Sequence, residues 1–262
     1  MLSLLVSHFT AELRRVLVVS RRYPLQTFSG MLTILILFLA LLSGARYIAG
    51  PLVAGEDRQG SLIVGLVLWN MLILSISEVS VGLQNEAQIG TLEHLFLASR
   101  SLLRVVLVRA AAGQLLFLAT NSVILTVLTL ATRTELSLSP AVALPLLAAF
   151  LATSGIGLAL GAAALLWKKI GASLQLVQFL VVSLVVPPFE QLLPAKSLAL
   201  LDLLPLVPAA QALRDLMARG ISPGGKEMAA VLVNGLGYFA AGILVFRAGE
   251  RRARRKGALA GY

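Results

Sequence analysis

The sequence predicts an all-α integral membrane protein with an N-terminal interfacial helix, six transmembrane helices and a re-entrant hairpin between the fifth and sixth. Three observations lead there. Hydrophobic residues make up 58% of the 262 and charged residues only 13%, about half the charged share of a soluble domain, and mean hydropathy is +0.91. So little charge cannot clothe a water-facing surface, and so much apolar material excludes disorder. The apolar residues also fall in continuous runs near the ~20 residues that carry a helix across a ~30 Å hydrocarbon core. Finally, Lys and Arg are distributed unequally between alternate connecting segments, as orientation in a bilayer requires. The runs do not alternate as the strands of a membrane barrel would, and a helix closes its backbone hydrogen bonds within itself.

Residues 1–23 come first. Leu2, Leu5, Val6, Phe9, Leu13, Val16 and Leu17 recur at helical spacing, which predicts a helix lying in the cytoplasmic interface rather than a cleaved secretory signal. Tyr23-Pro24 then turns the chain into the membrane. The predicted crossings are Thr27–Ala45, Leu62–Leu83, Val105–Ala131, Ala141–Trp167, Ala172–Pro187 and Met228–Phe246. The fifth is the shortest and stops at Pro187-Pro188, which no regular helix continues through. No internal repeat or low-complexity tract stands out, and the chain reads as one membrane domain spanning residues 1–262.

Fifteen of the 22 Lys and Arg residues lie in one set of alternate segments, including Arg14, Arg15, Arg21 and Arg22 at the start and Arg247 to Lys256 at the end. Seven lie in the other set. Six crossings with both termini in the cytoplasm satisfy this bias, so the net charge of +10 is mainly a topology signal. The basic tail is also suited to anionic headgroups; nucleic acid is not the expected partner.

Residues 188–227 are expected outside the membrane or re-entering it. Pro187, Pro188, Pro194, Pro205 and Pro208 are five of the ten prolines in the chain, yet the run between them is rich in leucine. Broken but apolar helices of this kind enter the bilayer and return on the same side. An amphipathic stretch, Ala209–Arg219 with Arg214 among leucines, follows and ends at Gly220.

Several chemistries are excluded. The chain has no cysteine, and its two histidines, His8 and His94, are too few for a histidine metal centre. Gly220, Gly225 and Lys226 have the spacing of a phosphate loop, but Glu227 stands where Ser or Thr would hold magnesium. Gly220-Ile221-Ser222-Pro223-Gly224 imitates a nucleophile elbow with both histidines expected across the membrane. These glycines read as helix stops and turns, and no enzymatic activity is expected of this chain. Gly157 and Gly161 form a small face for close helix packing, either within the chain or between two copies, with packing within the chain the weightier reading.

Two features point to transport. Glu78 is the one acid well inside a predicted crossing, and Arg109 lies at similar depth on the next, antiparallel helix. Ionisable groups there are costly and usually paired or facing a wet cavity. A Glu78–Arg109 pair, structural or beside a pathway, is therefore expected, the alternative being an interfacial Glu78 in water. The second feature lies in residues 85–100. Gly90-Thr91 marks a bend and N-cap, Glu93 favours the positive helix end, and Leu92, Leu95 and Phe96 form an apolar ridge. The segment reads as a short cytoplasmic helix joined tightly to two membrane helices, or more simply as a capped interfacial loop.

Glu86 followed by Gly90-Thr91-Leu92-Glu93 and Leu95 resembles the coupling-helix signature of type-2 ABC transporter permeases. Leu204-Pro205-Leu206-Val207-Pro208, then Leu213-Arg214 and Gly220, resembles the segment before that family's last membrane helix. The likeness extends over nearly the whole chain. It departs in Ala98-Ser99-Arg100-Ser101, where family members often carry proline. The resemblance implies a membrane subunit of an ATP-driven exporter in a prokaryotic plasma (inner) membrane. Its partners would be separate ABC ATPase subunits, which hold the ATP and magnesium, a second permease subunit, identical or related, and membrane lipids. Glu86, Gly90, Thr91, Leu92, Glu93 and Leu95 would receive the push of ATPase closure. The leucine-, valine- and alanine-rich crossings suit an amphipathic or apolar cargo such as a drug, lipid or lipid-linked molecule. An ion-gradient-driven secondary transporter is the alternative, with a haem-exporter-like or lipid-linked-glycan permease possible within the family.

Overall fold

The structure, a computed structural model, describes residues 2–49, 56–91, 101–167, 171–186 and 201–255. All regular structure among them is helical. The elements are α1 (Leu2–Arg22), α2 (Pro24–Ala49), α3 (Glu56–Ile76), a π turn (Ser77–Val81), α4 (Gly82–Ile89), α5 (Leu102–Thr132), α6 (Ala143–Leu166, led by a 3-10 turn), α7 (Gly171–Val185), α8 (Val207–Met217) and α9 (Gly225–Arg255). Among the described residues five helices are long and apolar enough to span a membrane: Pro24–Gly44, Asp57–Ile89, Leu102–Thr132, Pro140–Leu166 and Gly225–Arg255. The chain is thus a multi-pass helical membrane protein. The segment predicted as a fifth crossing forms the shorter α7, whose 15 residues rise about 22 Å.

Helix ends follow from local chemistry. Pro24 opens α2, where its missing N–H costs nothing. Gly90, just past α4, is left-handed at φ 79°. Its N–H donates to the Ala87 carbonyl at 3.2 Å, and that of Thr91 to the Glu86 carbonyl at 3.0 Å. That crossed pair is a Schellman stop. The second crossing was predicted to end at Leu83, but Gln84, Asn85 and Glu86 contain no breaker and the helix runs on to Gly90. The last helix likewise passes Phe246 to Arg255, with Arg254 paired to Glu250 at 2.8 Å. The loop imitating a phosphate site resolves into a stop and a start. Gly220 is left-handed beyond α8, and the Glu227 carboxylate accepts the Gly224 N–H at 2.8 Å, as in a capping box.

The core forms around α3 and α6. Ala148, Gly155 and Ala162 on α6 meet Gly235, Gly242 and Gly249 on α9. A Cβ on Gly235 would sit 2.6 Å from the Ala148 carbonyl oxygen and one on Gly249 2.7 Å from the Ala162 Cβ. Both sets step by seven and rise together, so the helices run parallel with backbones in contact. Gly157 and Gly161 face α3 and the π turn instead, where added Cβ atoms would come within 2.7 Å of Ser75 O and Val79 Cγ1. These glycines serve packing within the chain. Helix α8 is buried along most of its length, against α3, α6 and α9. It occupies the end of the bundle opposite α1.

Candidate functional site: a charged junction of three helices

The charged side chains converge where α1, α4 and α5 meet. Arg109 on α5 donates through both Nη1 and Nη2 to Glu86 Oε1, each at 3.2 Å. Its Nε lies 3.7 Å from Glu12 Oε1 on α1, and Glu12 Oε2 accepts from Arg15 Nε at 2.6 Å. The second Glu86 oxygen accepts from the Thr91 hydroxyl, which also reaches the Glu86 carbonyl at 3.2 Å. Glu86 therefore binds the helix stop on one side and α5 on the other. The side chains of Glu12, Glu86 and Arg109 are all mostly shielded, which raises the weight of their ion pairs above that of exposed ones. Beside them a pocket of about 300 Å³ is lined by His8, Ala11, Glu12, Arg15, Val105 and Val108.

Glu78 sits one step away, on the π turn. Its carboxyl carbon would lie 3.1 Å from a Cβ on Gly113, so the glycine gives the acid its space. Among the described residues Glu78 makes neither hydrogen bond nor ion pair, and Arg109 closes its contacts on Glu86 and Glu12. The π turn accounts for this geometry. On an ideal helix Glu78 and Glu86 would point about 80° apart, and the one residue absorbed by a π turn removes about 100°. The two acids thereby share one side of the helix, and Arg109 takes the one nearer the end.

Above the junction, α3 and α5 are joined by polar contacts. Ser75 accepts from Gln114, and Asn70 donates to Asn121 at 3.1 Å. Ser80 adds a bond to the Gly157 carbonyl at 3.3 Å. Such contacts hold apolar helices in register where the hydrophobic effect does not.

A second charge is fully buried at the opposite end. Arg214 on α8 donates from Nε to the Ser61 carbonyl at 3.3 Å, and from Nη2 to the carbonyls of Val185 and Val186, the latter at 3.1 Å. It thus caps the last carbonyls of α7, the negative end of that helix dipole. Gly65 allows this approach, since a Cβ there would lie 3.1 Å from Arg214 Nη2. Pro205 leads into α8 and Pro208 lies in its first turn, while Pro187 and Pro188 lie outside the described residues.

Of the residues expected to receive the ATPase, Glu86, Gly90 and Thr91 come together at the α4 stop. Leu92, Glu93 and Leu95 lie outside the described residues. Sequence reasoning missed Glu12. With Phe9, Leu13, Val16 and Ser20 it marks the half-buried side of α1, a spacing visible in the sequence. Among the described residues no three His, Asp or Glu gather as a metal site. Comparison with protein families and with curated proteins finds no match to this chain.

Proposed function

We propose that the chain is the membrane-spanning permease subunit of an ATP-driven ABC exporter, moving an amphipathic or apolar substrate out of the cytoplasm. The observation that carries this reading is the junction of Glu86, Gly90, Thr91, Arg109 and Glu12. A force applied just beyond Thr91 meets a closed helix stop, not a fraying end. The Glu86–Arg109 contact passes it to α5, and Glu12 passes it to α1. The α3–α4 and α5 helices would then tilt as a unit, and the two membrane states would differ in how they contact the ATPases, as coupling requires.

In this reading α7 is the fifth of six crossings, residues 188–227 re-enter the membrane, and both termini lie in the cytoplasm of a plasma-membrane protein. ATP and magnesium belong to a partner ATPase, and two permease subunits enclose the route. The test is purification of the tagged protein in mild detergent, with a stoichiometric ATP-hydrolysing subunit expected alongside. Glu93→Arg should then abolish ATP-coupled transport with insertion unchanged. A native complex without such a subunit would reject the proposal. One observation favours a second reading, gradient-driven transport: Glu78 is an acid at a π turn within a membrane-length helix, and it makes no hydrogen bond or ion pair among the described residues. Proton- or sodium-dependent flux without ATP, lost in Glu78→Gln, would support it.

A further inference from the structure

A cavity of about 140 Å³ opens within the bundle end that holds α8. Its walls include Leu68 of α3, Leu118 and Ser122 of α5, Leu146 of α6, and Leu213 and Met217 of α8. Apart from Asn121 and Ser122 the walls are apolar, and Asn121 is already engaged by Asn70 and by the Phe117 carbonyl. An enclosed apolar cavity of about 150 Å³ accepts a benzene-sized group, so this open-mouthed pocket of similar size and lining has room for a hydrocarbon group.

Its mouth says which hydrocarbon. The exposed residues of its lining are Ser122 and Leu138. Ser122 belongs to the outward stripe Leu115, Ala119, Ser122, Thr126 and Leu130 of a membrane-length helix. The hydroxyls on that stripe are turned inward. Ser122 donates to the Leu118 carbonyl and Thr126 to the Ser122 carbonyl, both at 2.8 Å. The surface around the mouth therefore offers hydrocarbon and satisfied oxygens, which suits lipid. Leu118 to Leu125 lie about 10–20 Å along α5 from its end at Thr132, the depth of acyl chains and not of headgroups.

We propose that this pocket is a lipid site that takes the end of an alkyl chain of a bilayer phospholipid, inserted between α5 and the 133–139 connection to touch α8. The site does not depend on the exporter reading. Bound hydrocarbon fills the space beneath α8, the helix whose Arg214 caps α7, so the lipid becomes part of the packing of that end.

The test places the intact protein in phosphatidylcholine nanodiscs containing a trace of phosphatidylcholine with a diazirine near one chain terminus. After irradiation, labelled residues are mapped by peptide sequencing. Leu213 and Met217 are buried, so a lipid probe reaches them through the pocket, and labelling there is the expected result. Leu138→Trp at the exposed rim, or Leu146→Phe inside, should lower α8 labelling about tenfold while labelling of the exposed faces of α2 and α9 is unchanged. Thermal unfolding confirms which variants remain folded, and the two variants are independent of each other. Label confined to outward faces, α8 label indifferent to both variants, or α8 label from a benzyl diazirine but not from the lipid would each overturn the proposal.

Discussion

Both terminal nitrogens of Arg109 point at a single oxygen of Glu86, each at 3.2 Å, which leaves the other oxygen to Thr91. One carboxylate thus joins two helices and a helix stop. A double-mutant cycle with Glu86→Gln and Arg109→Gln should show a coupling of about 1 kcal/mol in detergent unfolding. Glu12→Gln should couple to Arg109 more weakly, because its contact is longer at 3.7 Å. Equal couplings would mean that Glu12 and Glu86 share the guanidinium evenly.

Gly90 tests the stop itself. Nothing lies within 4 Å of the position a Cβ would take, but φ is +79°. The cost of substitution is then conformational and not steric. Gly90→Ala should destabilise by about 1 kcal/mol and Gly90→Asn by less, since Asn tolerates the left-handed region. A larger penalty for Asn than for Ala, measured by chemical unfolding in micelles, would contradict a left-handed Gly90.

Glycines on α9 should respond with opposite signs. A Cβ on Gly242 would overlap the backbone of Gly155, whereas Gly237 has nothing within 4 Å. Gly242→Ala is expected to cost about 2 kcal/mol or more through overpacking. Gly237→Ala should be neutral or stabilising by up to about 1 kcal/mol from helix propensity. Thermal midpoints of the two variants, compared side by side, decide this.

Arg214→Met keeps the apolar stem but abandons the carbonyls of Ser61, Val185 and Val186. The expected loss is about 3 kcal/mol, from charge-assisted bonds removed and buried acceptors left bare. Arg214→Lys should recover part of it. Protease sensitivity near α7, read alongside global unfolding, distinguishes loss of that helix end from general collapse.

The long helices were legible because apolar runs of membrane length leave few alternatives, and most starts lie within about three residues of those expected, though α3 opens at Glu56 and not at Leu62. Ends were harder. Gln84, Asn85 and Glu86 look like a loop by polarity, but polarity does not stop a helix, and Gly90 does. Arg109 is expected beside Glu78, but it pairs with Glu86 and Glu12, and that choice depends on a π turn that leaves no mark in composition. The small residues at 148, 155, 162 and at 235, 242, 249 stood in the sequence at a common period. Their pairing needed the knowledge that two helices 87 positions apart run side by side. Arg214 was conspicuous as a charge among leucines, but only proximity reveals that its ligands are main-chain carbonyls.

That distant pairing of α6 and α9 sets a timetable for biogenesis. Until α9 emerges from the ribosome and enters the bilayer, Ala148, Gly155 and Ala162 face lipid, a groove without a ridge. This part of the packing is therefore completed only when α9 arrives. A ribosome stalled before residue 225 would hold an inserted chain that still presents this face to quality-control proteases.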